Sequence, residues 1–166
     1  MARSRPAERL WGAARRRLTL EGDREEKKVY EKLLVAVDHS HVTEHVLSAA
    51  RDLASLSHAE VWVLHLRERE MMPRAGLIEN ETTDEAQEQV DAAVEEFTSA
   101  GIKAHGITRS TIYGYAAREI VDDAKGLDVG VIIMGSRGRG DLAGLVLGST
   151  AHKVIHLADR PVLVVR

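Results

Sequence analysis

The sequence contains no cysteine in 166 residues. That absence excludes a disulfide framework, a thiol nucleophile, an iron–sulfur cluster and any cysteine-based zinc site together. Aromatic side chains make up only 4%, too few for the stacking platforms that hold single-stranded nucleic acid. A net charge of −3 from 23 basic and 26 acidic groups leaves no global basic field, so nucleic acid is not an expected partner. No apolar run approaches the ~18–20 residues of a membrane span, and no signal-type apolar stretch follows the N-terminal arginines, so the expected compartment is the cytoplasm. What the chain does have is 44% hydrophobic and 30% charged residues, the balance of an ordinary globular protein, at a length that suits one domain with a sizeable core.

The charge is unevenly placed. Residues 1–20 carry Arg3, Arg5, Arg9, Arg15, Arg16 and Arg17 against Glu8 alone. The charged stretch Glu21–Lys28 then reads as a linker, dividing a basic extension, residues 1–28, from a domain over 29–166. Within residues 5–20, Leu10, Trp11, Ala14 and Leu18 fall on one side of a helix. A basic amphipathic helix suits an anionic membrane surface or a protein partner. Packing on its own domain, or no fixed structure, accounts for the composition equally well.

From Lys32 the pattern changes. Leu33–Val37 is a continuous apolar run of the kind covered on both faces of a sheet. Val42, Val46, Ala49, Ala50, Leu53 and Leu56 follow at helical spacing, then a second strand over Val61–Leu66. Ala86, Val90, Ala93, Val94 and Phe97 mark another helix, with Gly101 as its C-terminal cap. A weaker strand over Ile102–Thr108, a helix over Ile112–Ala124, a strand over Val129–Met134, a helix over Ser149–Leu157 and a strand over Val162–Val165 complete the pattern. Strands alternating with helices require right-handed crossovers and a mostly parallel sheet with helices on both faces. The fold class is therefore α/β. The long connection Arg67–Asn80, with Met71, Met72 and Pro73, reads as a solvent-exposed excursion, or as a lid or partner surface.

Chemistry is expected at the glycine-rich connection from Gly135 to Leu147. Ligands of doubly wound sheets sit beyond the C-terminal strand ends, at the point where chain direction across the sheet switches. Met134-Gly135-Ser136-Arg137-Gly138 begins at such an end, and Gly148-Ser149-Thr150 opens the next helix. Glycines let backbone N–H groups approach phosphate oxygens, and the helix start adds unpaired N–H groups, two hydroxyls and the positive end of a dipole. Arg137 and Arg139 add charge. The set suits a nucleoside polyphosphate.

Three phosphate and adhesion motifs fail here. Gly135–Gly140 has P-loop glycine spacing, but Asp141-Leu142 stands where Lys-Ser/Thr is required. Gly138–Ala143 matches a dinucleotide fingerprint in letters, yet it lies far from the first strand and no acidic residue ends the following one. Arg139-Gly140-Asp141 spells an adhesion tripeptide that no secretion signal supports.

Gly135-x-x-Gly138, nine residues, then Gly148-Ser149 does resemble the nucleotide-binding pattern of universal stress proteins, in their ATP-binding subgroup. Leu34-Val35-Ala36-Val37-Asp38-x-Ser40, Leu64-His65-Leu66 and Arg160-Pro161-Val162-Leu163-Val164-Val165 resemble that family's first, second and closing strands, so the likeness covers roughly Tyr30 to Arg166. The resemblance implies a three-layer sandwich with a five-stranded sheet in the order 3-2-1-4-5. Strands 1 and 4 are then neighbours, with Ala36, Val37 and Asp38 facing Met134 and Gly135 across one crevice. It further implies that Asp38 marks the adenosine end, that Leu66 offers backbone hydrogen bonds to adenine and that Gly135 lies near the ribose. Gly138, Gly148, Ser149 and Thr150 would hold the phosphates of ATP, ADP or AMP, with Mg²⁺ shared among phosphate oxygens. A homodimer through Val162–Val165 is also implied.

Eight histidines invite a metal reading. His41-Val-Thr-Glu44-His45 matches the H-x-x-E-H spacing of zinc hydrolases, and His152 and His156 form a second i, i+4 pair. Neither pair has an evident third ligand, so solvated helix-face histidines are the better account and no protein-held metal is expected. His39 and His41 depart from the small or polar residues expected there by resemblance. No catalytic residues are assigned, because the chain has neither a P-loop lysine nor a base aimed at a γ-phosphate. The leading function is a stress-response or regulatory module that works by binding nucleotide and dimerising. Slow hydrolysis, self-phosphorylation at Ser149 or Thr150, an adenylating enzyme of a related fold and a nucleotide-free adaptor stand as alternatives.

Overall fold

A computed structural model describes residues 30–74, 76–79, 81–138 and 147–166. The basic extension and Arg139 lie outside the described residues. Strands β1 (Lys32–Val37), β2 (Glu60–Met72), β3 (Gly76–Glu79), β4 (Ala104–Ile112), β5 (Val131–Gly135) and β6 (Val162–Val165) alternate with helices α1 (Thr43–Ser57), α2 (Thr83–Ser99), α3 (Ala116–Gly126) and α4 (Ser149–Leu157). Five strands run parallel in the spatial order β4-β2-β1-β5-β6, which is the order 3-2-1-4-5 once the short β3 is set aside.

The sheet is apolar on both faces because its strands bury alternate residues in opposite directions. Leu33, Val35, Val37, Val61, Val63, Val131 and Ile133 pack with α1 and α2, using Val46, Ala50, Val90, Ala93 and Phe97. Leu34, Leu64, Ile132 and Met134 turn to the other side, against Ala117, Ile120, Val121, Ala124 and Val154 of α3 and α4. Leu33, Leu34 and Val35 are each 0% exposed, so consecutive residues serve two separate cores.

Local signals place the helix ends. Thr82 and Glu85 form a reciprocal capping box at the start of α2. At its other end Gly101 (φ +77°) donates to Thr98 and Ile102 donates to Phe97. Those two bonds, with Ile102 buried, are a Schellman stop, in which the left-handed residue is glycine.

The connection Arg67–Asn80 is not irregular. β2 runs on through Met72, and β3 pairs antiparallel with its last four residues, Arg69↔Glu79 to Met72↔Gly76. Arg69 also pairs with Ile112 of β4. A strand residue has two edges, so β3 occupies the edge that β1 leaves open beyond Val37. β4 is likewise longer than expected, because it follows β2 to Ile112. For that reason α3 starts at Ala116 rather than near Ile112, after a turn at Gly114 (φ +87°). No helix among the described residues is long and apolar enough to cross a membrane.

Candidate functional site

β1 and β5 lie side by side, and their chains leave the sheet in opposite directions, toward α1 and α4. A cleft of about 470 Å³ opens between their C-terminal ends. Ala36, Val37, Asp38 and Leu66 line one side of it, and Met134, Gly135, Arg137 and Gly138 the other. Gly148, Ser149 and Thr150 close the end at the start of α4. The structure thus brings together every described residue nominated from the sequence.

Backbone approach explains the glycines. A Cβ on Gly138 would stand 2.7 Å from Asp38 Oδ2, and one on Gly148 would stand 3.3 Å from the carbonyl of Ser136. A Cβ on Gly135 would meet the carbonyl of Arg137 at 3.0 Å. The two halves of the loop are drawn together by the Gly148 N–H, which donates to Ser136 O at 2.7 Å, while Ser136 N–H donates to Val165 O at 2.6 Å. α4 begins at Gly148 with no side-chain cap, so its first N–H groups face the cleft unmasked by a capping hydroxyl or carboxylate. The Ser136 hydroxyl is buried with no hydrogen-bond partner among the described residues. A glycine-lined backbone cradle, an uncapped helix start and an orphaned hydroxyl fit a phosphate-bearing group.

Asp38 is fixed on the opposite wall. Its Oδ1 accepts from Ser40 N at 3.0 Å, with Thr43 Oγ1 at 3.3 Å, and its carbonyl accepts from the Gln89 amide at 2.7 Å. The carboxylate stabilises the turn before α1, whose N-cap is Val42. Glu68 and Glu70 of the β2 extension also border the cleft.

Residues not nominated from the sequence stand beside Asp38. His65 is 1% exposed. Its Nδ1 donates to Val37 O at 3.0 Å and its Nε2 lies 2.8 Å from Glu81 Oε1. His39 Nε2 lies 2.6 Å from the other oxygen of Glu81. Burial works against ionisation of Glu81, but the hydrogen bonds from His65 and His39 outweigh it and hold this carboxyl below its ordinary range. The three residues are 42 positions apart at the extremes, on β2, after β1 and before α2, and no local spacing links them. The i, i+4 pairs that did stand out are exposed: His41 lies in the turn before α1 rather than on a helix face, with His45 in the first turn of α1, and His152 and His156 on α4 meet edge to face at 4.6 Å.

Fold and cleft together define a doubly wound α/β protein with its site at the switch point of the sheet. The Universal stress protein family matches residues 29–166, and the chain belongs to that family. It is 34% identical over 153 residues to universal stress protein YxiE of Bacillus subtilis, covering 83% of this chain and 100% of that protein. It is 32% identical over 158 residues to universal stress protein MJ0577 of Methanocaldococcus jannaschii, covering 83% and 96%. The solved MJ0577 structure superposes with a TM-score of 0.70 over 82% of this chain and 96% of that one, at 30% identity. A universal stress protein from Archaeoglobus fulgidus, solved in complex with dAMP, gives a TM-score of 0.63 at 28% identity over 83% and 99%.

Proposed function

We propose that this protein is an ATP-binding universal stress protein that acts as a regulatory module through nucleotide occupancy and dimerisation. The observation that carries the reading is the convergence of Gly135, Gly138 and Gly148 with the uncapped start of α4 around the switch-point cleft. The dAMP complex of the Archaeoglobus relative supports an adenine nucleotide as the class of ligand. In this reading the base lies toward Leu66 and Val37, the ribose between Asp38 and Gly135, and the phosphates against Gly138, Gly148, Ser149 and Thr150. Mg²⁺ is shared among phosphate oxygens, and Arg137 and Arg139 supply countercharge.

The protein works by binding rather than by efficient turnover. No lysine borders the cleft among the described residues, where phosphoryl-transfer sites place one on the β- and γ-phosphates. The dimer forms through β6, which among the described residues pairs only with β5 and so offers its other edge to a second copy. Pairing with a second copy covers that edge.

The test is to denature freshly purified protein and identify the released small molecules by chromatography and mass spectrometry. Near-stoichiometric ATP or ADP is the expected result. Protein that is empty and also resists loading with ATP and Mg²⁺ overturns the reading.

A further inference from the structure

We propose that His39, His65 and Glu81 form a binding site for a zinc-class divalent cation beside the cleft, independent of nucleotide. Each residue offers one ligand atom, and these atoms lie within 4.8 Å of one another. Zinc bonds to imidazole nitrogen and carboxylate oxygen are about 2.0–2.2 Å, so tetrahedral ligand atoms stand roughly 3.3–3.6 Å apart. The present contacts, 2.6 Å from His39 to one oxygen of Glu81 and 2.8 Å from His65 to the other, open by about 0.5–1 Å to admit the ion.

The second shell is already built. A metal-bound imidazole donates its other N–H to a carbonyl or carboxylate, which fixes the tautomer and aims the lone pair. His65 has that arrangement, with Nδ1 bonded to Val37 O and Nε2 turned to Glu81. Its ring is 1% exposed, and the Glu81 side chain is 6% exposed, so two of the three donors are already held in place by burial. With Nδ1 donating to Val37 O, Nε2 is turned to a carboxylate oxygen, so an ion placed between them meets both donors.

Two nitrogens and one carboxylate select against Mg²⁺ and Ca²⁺, which take all-oxygen shells, and for Zn²⁺ or Co²⁺. His39 is 37% exposed at its side chain, so the fourth position is open to water. Bound metal joins the end of β1, β2 and the approach to α2, fixing the residue next to Asp38.

The test uses untagged, chelator-stripped, nucleotide-free protein titrated with ZnCl₂ by calorimetry and with CoCl₂ by visible absorption. Four proteins are compared: wild type, His39→Ala, Glu81→Gln and the double variant His152→Ala/His156→Ala. One ion per chain is expected, with a tetrahedral Co²⁺ spectrum. Affinity should fall at least about tenfold in His39→Ala and Glu81→Gln and stay unchanged in the double variant. His39 and Glu81 are chosen because His65→Ala removes a buried ring and risks the fold. The proposal is overturned by wild-type affinity in both site variants, by loss confined to the double variant, or by no stoichiometric ion at all. Nucleotide plays no part in these titrations, so their failure and the failure of ATP binding are read separately.

Discussion

Replacing Gly138 by alanine is the sharpest probe of the cleft. The new Cβ would stand 2.7 Å from Asp38 Oδ2, where ordinary contact begins at 3.4 Å. Asp38 cannot simply turn away, since Oδ1 holds Ser40 N at 3.0 Å. Either that bond is lost, at about 0.5–1.5 kcal/mol, or the Gly138 backbone recedes from the cleft and its N–H leaves the phosphate position. We expect ATP affinity to fall about tenfold, or about 1.4 kcal/mol. At a ligand concentration 100 times the wild-type Kd, bound ATP stabilises wild type by about 2.7 kcal/mol and the variant by about 1.4 kcal/mol. For a domain of this size that difference is roughly 3–5 °C in the ligand-induced rise of Tm. Differential scanning fluorimetry across an ATP–Mg²⁺ titration reads it directly, with the ligand-free Tm controlling for folding. A folded Gly138→Ala protein that keeps the full wild-type shift refutes the argument that backbone approach at Gly138 forms the phosphate cradle.

Gly106→Ala tests the packing of β4 on α2. Its Cβ would stand 2.5 Å from Val90 Cγ1, a fully buried side chain, so overpacking should destabilise by about 1–3 kcal/mol in urea unfolding; a change under ~0.5 kcal/mol would show that α2 yields freely. Asp123 on α3 is 7% exposed, and burial, offset in part by Arg109 at 3.0 Å, holds its carboxyl above the ordinary range. A raised carboxyl contributes stability below its unfolded pKa of about 3.9 and loses that contribution as pH rises through the folded value. Asp123→Asn should therefore gain on wild type as unfolding is measured from the acid range up to neutral pH. A gap that stays flat, or that runs the other way, contradicts this.

The order of elements and most of the residues lining the switch-point cleft were legible because they are written in short-range patterns. Leu33 to Val37 states a doubly covered strand by its lack of polar positions. Gly135, Gly138 and Gly148 mark a loop whose backbone comes close to something. The β2–β3 hairpin was not legible. Arg67-Glu68-Arg69-Glu70 carries no apolar alternation, and it is strand only because β4 and β3 supply hydrogen-bond partners on its two edges. The same reliance on partners explains why β4 outran its expected end and delayed α3.

Local sequence determined which segments are strands and helices, and that the glycines of the connection after β5 allow close backbone approach. Only the tertiary structure decided that Asp38 faces Gly138, and that His39, His65 and Glu81 meet. Side-chain periodicity records which face a residue presents. It holds no record of which distant residue shares that face, because the crossovers that set the neighbours β2, β1 and β5 are fixed by packing of the whole sheet.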